Sequence, residues 1–241
     1  MIHEVSSSSR VERKRHEKRR TILAKATEVL IHEGLEAVTI HRLARELDLT
    51  VGALYRYFES KDALIASLTE QVIGEYAEAL AARREEVIEE ASRRETNVSA
   101  LGTLLGFAGA YLEVSMAMPT RYQLVSRMLT DPQVWLSPER RSPVMAGLFT
   151  IMDQFEELIS EATKEGSLHP GSARQRTILL WSGLTGVLSM QKLAKLDPDQ
   201  IPVRGLTRAM TETLFRGWGA DLSVYETLLD FTFPKPTFPE D

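Results

Sequence analysis

The order of apolar and polar positions reads as helix along almost the whole chain. Ile22, Ala26, Val29 and Leu30 form one helical stripe, which stops at Gly34, a residue suited to the position after a helix end, with Leu35 behind it. Ile40, Leu43, Ala44 and Leu47 recur at i, i+3, i+4 and i+7, one apolar face of a second helix. Thr39 is its expected N-cap, and Val38 is placed to staple onto Leu43. Asp48-Leu49-Thr50 interrupts that helix; Thr50 offers another cap, and a helix of only two turns follows before Glu59-Ser60. Ser60 caps a fourth helix, with Asp62 favourably placed in its first turn.

From about residue 61 the pattern predicts long helices near 61–92, 97–116, 119–130, 142–165, 172–196, 203–218 and 222–230. Breaks are expected at Pro119, Pro132, Pro138, Pro143, Gly166, His169-Pro170-Gly171, Asp197-Pro198 and Gly217 to Gly219. No β-alternation and no repeat of fixed period interrupts this reading. The predicted fold is all-α: a disordered basic arm at 1–18, a three-helix head at 19–66, a larger helical body at 67–230 and a Pro-rich tail at 231–241.

Composition narrows the choices. The 241 residues are 43% hydrophobic, enough for a sizeable core, and contain no Cys, which excludes disulfides and thiolate metal sites and fits a reducing cytoplasm. No apolar run reads as long enough to span a bilayer, and MIHEVSSSSRVERKRHEKRR lacks the apolar core of a secretory signal. The net charge of −5 hides an asymmetry. Residues 1–61 carry twelve Lys/Arg against nine Asp/Glu, whereas the rest is strongly acidic. Seven of those basic residues fall between Arg10 and Arg20. A basic end on an acidic body points to a polyanionic partner at that end, or to an ordinary solvated tail.

The stretch TVGALYRYFESKDAL, residues 50 to 64, favours the first reading. Two short helices joined by a tight turn form a helix-turn-helix, whose second helix can enter the major groove of DNA. On that helix Leu54 and Phe58, four apart, face inward with Tyr57 at the edge. Val51, Gly52, Tyr55 and Arg56 then face outward. Gly52 leaves the helix start bare for close approach, Tyr55 can pack on the sugar-phosphate backbone, and Arg56 can bond a phosphate or a guanine edge. Lys61 lies at backbone height, and Thr39, His41 and Arg42 at the start of the preceding helix can hold the other side of the groove.

The segment TIHRLARELDLTVGALYRYFESKDALI resembles the DNA-binding segment of the TetR family of bacterial transcriptional regulators. The matching elements are Leu43-Ala44, Gly52-Ala53-Leu54-Tyr55, Tyr57-Phe58, Ser60-Lys61 and Leu64, within about residues 20 to 66. The resemblance implies an all-α homodimer that binds a palindromic operator, usually as a repressor, and is released by a small-molecule effector. It also implies DNA contacts at Thr39, His41, Thr50, Val51, Gly52, Tyr55, Arg56 and Lys61. One departure is Asp48, where the family often has glycine; an Asp tolerates the left-handed conformation such a turn needs.

The body offers little enzyme chemistry. The five His have no metal-ligand spacing, no catalytic or phosphate-loop motif is present, and no cofactor is expected. Soft and aromatic residues in the middle helices serve as core or as the lining of an apolar or aromatic effector site, for which Phe107, Tyr111, Met152 and Trp181 are the candidates. Gly183 and Gly186, with Leu206, Met210, Leu214 and Trp218 repeating every four residues, serve either internal packing or a homodimer interface. The position of those two helices matches the family's paired helices across a two-fold axis. The competing classes are a ligand-responsive DNA-binding repressor, a helical small-molecule binder that retains the head, and a protein-interaction module.

Overall fold

Side-chain caps set where the short helices begin. Thr39 and Thr50 both sit in extended backbone and accept a hydrogen bond from the N–H three residues on, Arg42 at 3.2 Å and Ala53 at 3.1 Å. Ser60 does the same for Ala63 at 3.0 Å, Ser99 for Gly102 at 3.1 Å and Ser172 for Gln175 at 3.3 Å. Each bond satisfies one of the N–H groups that a helix start leaves without an internal partner.

The computed structural model describes residues 3–93, 99–130 and 138–233. The expected break at Pro132 and the tail from residue 234 lie outside them. The helices are α1 (His3–Glu33), α2 (Ile40–Glu46), α3 (Val51–Tyr55), α4 (Lys61–Arg93), α5 (Ala100–Ala117), α6 (Pro119–Thr130), α7 (Pro138–Lys164), α8 (Ala173–Ser189), α9 (Gln191–Ala194), α10 (Val203–Gly217) and α11 (Glu226–Thr232). Short 3₁₀ turns precede α2 and α11, and there is no strand among the described residues. The fold is all-α.

The chain packs as two compact units, Met1–Gly74 with Thr120–Gly147, and Glu75–Pro119 with Leu148–Asp241. The division therefore falls inside α4 at Gly74. In the first unit Ile22, Ala26, Val29 and Leu30 of α1, Leu43 of α2, Leu54, Phe58 and the inward face of α4 are buried. In the second, nearly every side chain of α5 is buried. Gly106 lets α4 come close, because a Cβ there would lie 2.3 Å from Val87 Cγ1. Arg208 ties α10 to α11 through Asp230 at 2.5 Å and the Phe233 carbonyl at 2.9 Å. Burial alone would lower its pKa, but the hydrogen bonds to Asp230 and Glu212 outweigh burial and raise it.

Four expectations need correction. The segment 3–18, expected to be disordered, is helical and continuous with α1. Arg, Lys and Glu are good helix formers, so the segment extends a helix that burial of Ile22 and Ala26 has already nucleated. Its residues 11–17 are exposed. Second, α5 is long and apolar enough to cross a membrane by length and composition, but 78% of it is buried inside the unit, as in a core helix. Third, α7 begins at Pro138, a first helical position where a proline loses no N–H bond, and continues through Pro143 without the expected break. Fourth, the predicted helix 172–196 is broken at Met190, whose N–H turns to the Val187 carbonyl in a tightened last turn.

Asp48 is the one described non-glycine residue with positive φ, at 51°. Its N–H and that of Leu49 close back on α2, to the carbonyls of Arg45 and Ala44. A β-branched side chain resists this conformation, and local hydrogen bonding makes Asp tolerant of it. Asp48→Val should destabilise the protein by about 1–2 kcal/mol. Asp48→Gly should be neutral or nearly so. Thermal melting of the two variants checks the turn: equal stability for Val and Asp would remove the argument.

Candidate nucleic-acid interface

The α2-turn-α3 segment owes its shape to one buried side and two caps. Leu43, Leu54 and Phe58 are essentially inaccessible to solvent. The C-terminal end of α3 closes with the Tyr57 and Phe58 N–H groups on the Leu54 carbonyl, at 2.9 and 3.1 Å. With that side fixed, the opposite side of α3 must face out. Thr50, Gly52, Tyr55 and Arg56 are exposed, Tyr55 to 45%, and Val51 is half-buried. Lys61 and His41 are exposed and Thr39 is half-buried. A Cβ at Gly52 would meet nothing within 4 Å, so the helix start is open on that side.

Arg42 is placed differently from the rest. Its guanidinium is bonded to Glu33 at the end of α1 and, at 2.8 Å, to Glu46 one turn along α2. The hydrogen bond to Glu33, then that to Glu46, raises the Arg42 pKa, and the same contact holds the Glu33 carboxyl below its ordinary range. Within the head Arg42 therefore braces α2 on α1. Arg56 and Lys61, by contrast, carry no ion pair among the described residues.

Arg19 on α1 was missed by sequence reasoning. Its Nη1 donates to the Tyr57 carbonyl at 2.5 Å and its Nη2 to Ser67 Oγ at 3.1 Å, with the guanidinium 4.3 Å from the centre of the Phe58 ring. A signal for it was present: Arg19 stands three and seven residues before Ile22 and Ala26, on the buried stripe of its helix.

In the second unit three of the effector candidates, Phe107, Tyr111 and Trp181, meet in one aromatic cluster. Phe107 packs on Phe155 with ring centres 4.5 Å apart, and Tyr111 sits edge-on to Tyr76 and Phe155 at 6.0 and 6.1 Å. Trp181 Nε1 donates to the Tyr111 hydroxyl at 2.9 Å. Met152 is buried. The cluster is nearly all apolar, with hydroxyls from Tyr76, Tyr111 and Ser115 as its polar points.

The interface candidates divide. Gly183 and Met210 meet each other within the chain, since a Cβ on Gly183 would lie 2.7 Å from the Met210 sulfur. Trp218 packs on Phe215 at 5.3 Å and beneath Arg176 at 5.5 Å. Gly186 is exposed and a Cβ there would meet nothing within 4 Å, Leu206 and Leu214 are half-buried, and Leu179 on α8 is 54% exposed.

The geometry defines a helix-turn-helix unit with an open reading face. A model of bacterial regulatory proteins of the tetR family matches residues 22–68, the span from the α1 stripe into α4. Over that span the chain is similar to that family. It is 36% identical over 76 residues to the HTH-type transcriptional regulator BetI 2 of Chromohalobacter salexigens, a match covering 31% of this chain and 37% of that regulator. The chain thus matches little more than a third of that relative's length. A solved structure of a protein of unknown function from Rhodococcus sp. RHA1 has the same fold, with a TM-score of 0.65 at 24% identity over 83% of this chain and 94% of that one. The structure of AibR in complex with isovaleryl coenzyme A and operator DNA has a TM-score of 0.56 at 16% identity, covering 90% of this chain and 98% of that one.

Gly52→Leu should leave the head folded, because the space around Gly52 is empty and Leu is the better helix former by several tenths of a kcal/mol. It should abolish DNA binding by filling the helix start. Melting and gel-shift on the same preparation check both halves, and undiminished affinity would refute close approach at this position.

Proposed function

We propose that the protein is a ligand-responsive transcriptional regulator that binds a palindromic DNA operator as a homodimer and leaves it when a small effector binds, acting as a repressor in the cytoplasm without catalysis of its own. The observation that carries the reading is the capped α2-turn-α3 unit. Its buried side pins the recognition helix while Gly52, Tyr55, Arg56 and Lys61 are left exposed. Thr39 and His41 at the start of α2 and Thr50 and Val51 at the start of α3 supply the remaining contacts, with backbone N–H groups toward phosphates. Base-edge reading falls to Arg56 and the residues around Gly52, and backbone positioning to Tyr55 and Lys61.

The second unit supplies the effector and dimer functions. Phe107, Tyr111, Met152 and Trp181 suit an apolar or aromatic effector, with the Tyr111 hydroxyl as an orienting group. The small and apolar side of α8 and α10, with Gly186 and Leu179 exposed and Leu206 and Leu214 half-buried, suits pairing with a second copy. The complex of AibR with a ligand and operator DNA supports a fold that can serve both partners.

The test is binding of the intact protein to a duplex that it has itself selected from a random library. Tyr55→Ala and Lys61→Ala should weaken that binding without lowering the melting temperature, and Lys61→Ala should reduce the salt slope by about one unit. Unchanged affinity and slope in both would refute the placement. Removal of residues 1–16 should weaken selected and scrambled duplexes by similar factors, since Arg13, Lys14 and Arg15 are exposed charges that reach backbone phosphates. Loss on the selected duplex alone would mean that this segment reads bases.

A further inference from the structure

We infer that Arg19 is a positioning residue for sequence reading: it sets the pose of the recognition helix from behind and touches no DNA itself. The inference rests on the DNA-binding reading above. The two-turn recognition segment has few internal hydrogen bonds, so its orientation depends on what holds its ends. Its start is held by Thr50 and by burial of Leu54. Its end, at Tyr57 and Phe58, is where Arg19 acts. A carbonyl at a helix end lacks an internal partner and carries the negative end of the helix dipole, so a guanidinium is its natural complement. Arg19 bonds the Tyr57 carbonyl at 2.5 Å, reaches Ser67 Oγ on α4 at 3.1 Å and lies over the Phe58 ring at 4.3 Å. One planar group thus fixes α1, the end of the recognition segment and α4 against each other.

The chemistry of the three contacts is specific to Arg. A planar fork can donate in two directions while its face stacks on a ring; an ammonium has the charge without the plane. Arg19 is turned inward beside Ile22, whereas Arg13, Lys14, Arg15 and Arg20 are exposed. Its charge is therefore used within the head, and Tyr55 and Arg56, two and one residues before Tyr57, take their direction from it.

Arg19→Lys and Arg19→Gln, made in the full-length protein, test this against the self-selected duplex and a scrambled duplex, each across a salt series. The expected result is a loss of roughly tenfold or more on the selected duplex in both variants, with little change on the scrambled one and an unchanged salt slope, because charge alone does not restore the pose and no phosphate contact is lost. The ratio of the two affinities is insensitive to the fraction of folded protein, which separates positioning from mere loss of stability. Equal losses on both duplexes with a slope lowered by about one unit in Arg19→Gln, and rescue by Lys, would make Arg19 a phosphate contact and overturn the inference. Unchanged affinity in both variants would overturn it too. Should the Arg19 variants fail to fold, Ser67→Ala removes one of the three contacts at little cost: a selective loss on the selected duplex supports the inference, and wild-type affinity overturns it. Absence of DNA binding by the unaltered protein would instead sink the proposed function.

Discussion

Burial of Leu54 and Phe58 is the constraint on which the head depends. Each contributes roughly 1.5–3 kcal/mol when fully removed from water, and both are on a segment too short to be stable alone. Because the two are four residues apart, satisfying them fixes the rotation of the recognition segment about its own axis. The outward direction of Gly52, Tyr55 and Arg56 is then a geometric consequence and not a separate choice. The caps at Thr39 and Thr50, the left-handed Asp48 and the Arg19 contacts act on what rotation leaves open: where each helix starts, how sharply the chain turns and how the segment tilts.

Electrostatics sorts the basic residues of the head into two groups by the same logic. Arg19 and Arg42 have partners inside the head and brace helices. Arg56 and Lys61 carry no ion pair among the described residues and remain available to an anion. Exposed ion pairs such as Arg42 with Glu33 and Glu46 contribute little to stability at physiological salt. Their effect is to hold one side chain in one geometry.

The head was legible in the sequence because its signals are local. Caps, staples and the i, i+3, i+4 spacing of Leu43, Leu47, Leu54 and Phe58 act within a few residues, and each agreed with the next. Asp48 was correctly assigned a left-handed turn for the same reason. What failed depended on distance or on competition. The basic segment 3–18 was read from charge repulsion alone, and helix propagation from α1 prevailed. The break at Met190 depends on packing, to which periodicity is blind. Arg19 was not singled out because its partners, Tyr57 and Ser67, are far away in sequence.

The body shows the limit of stripe reading most directly. Leu206, Met210, Leu214 and Trp218 repeat every four residues as one set, yet their surroundings differ. Met210 meets Gly183 across two helices of the same chain, and Trp218 lies between Phe215 and Arg176, while Leu206 and Leu214 stay partly open. A four-residue spacing drifts around a helix of 3.6 residues per turn, by about 40° at each step. Over three steps the stripe therefore passes from one neighbour to another. Internal packing and an intersubunit face can thus be written by the same repeat, and what separates them is which residues the rest of the chain has already covered.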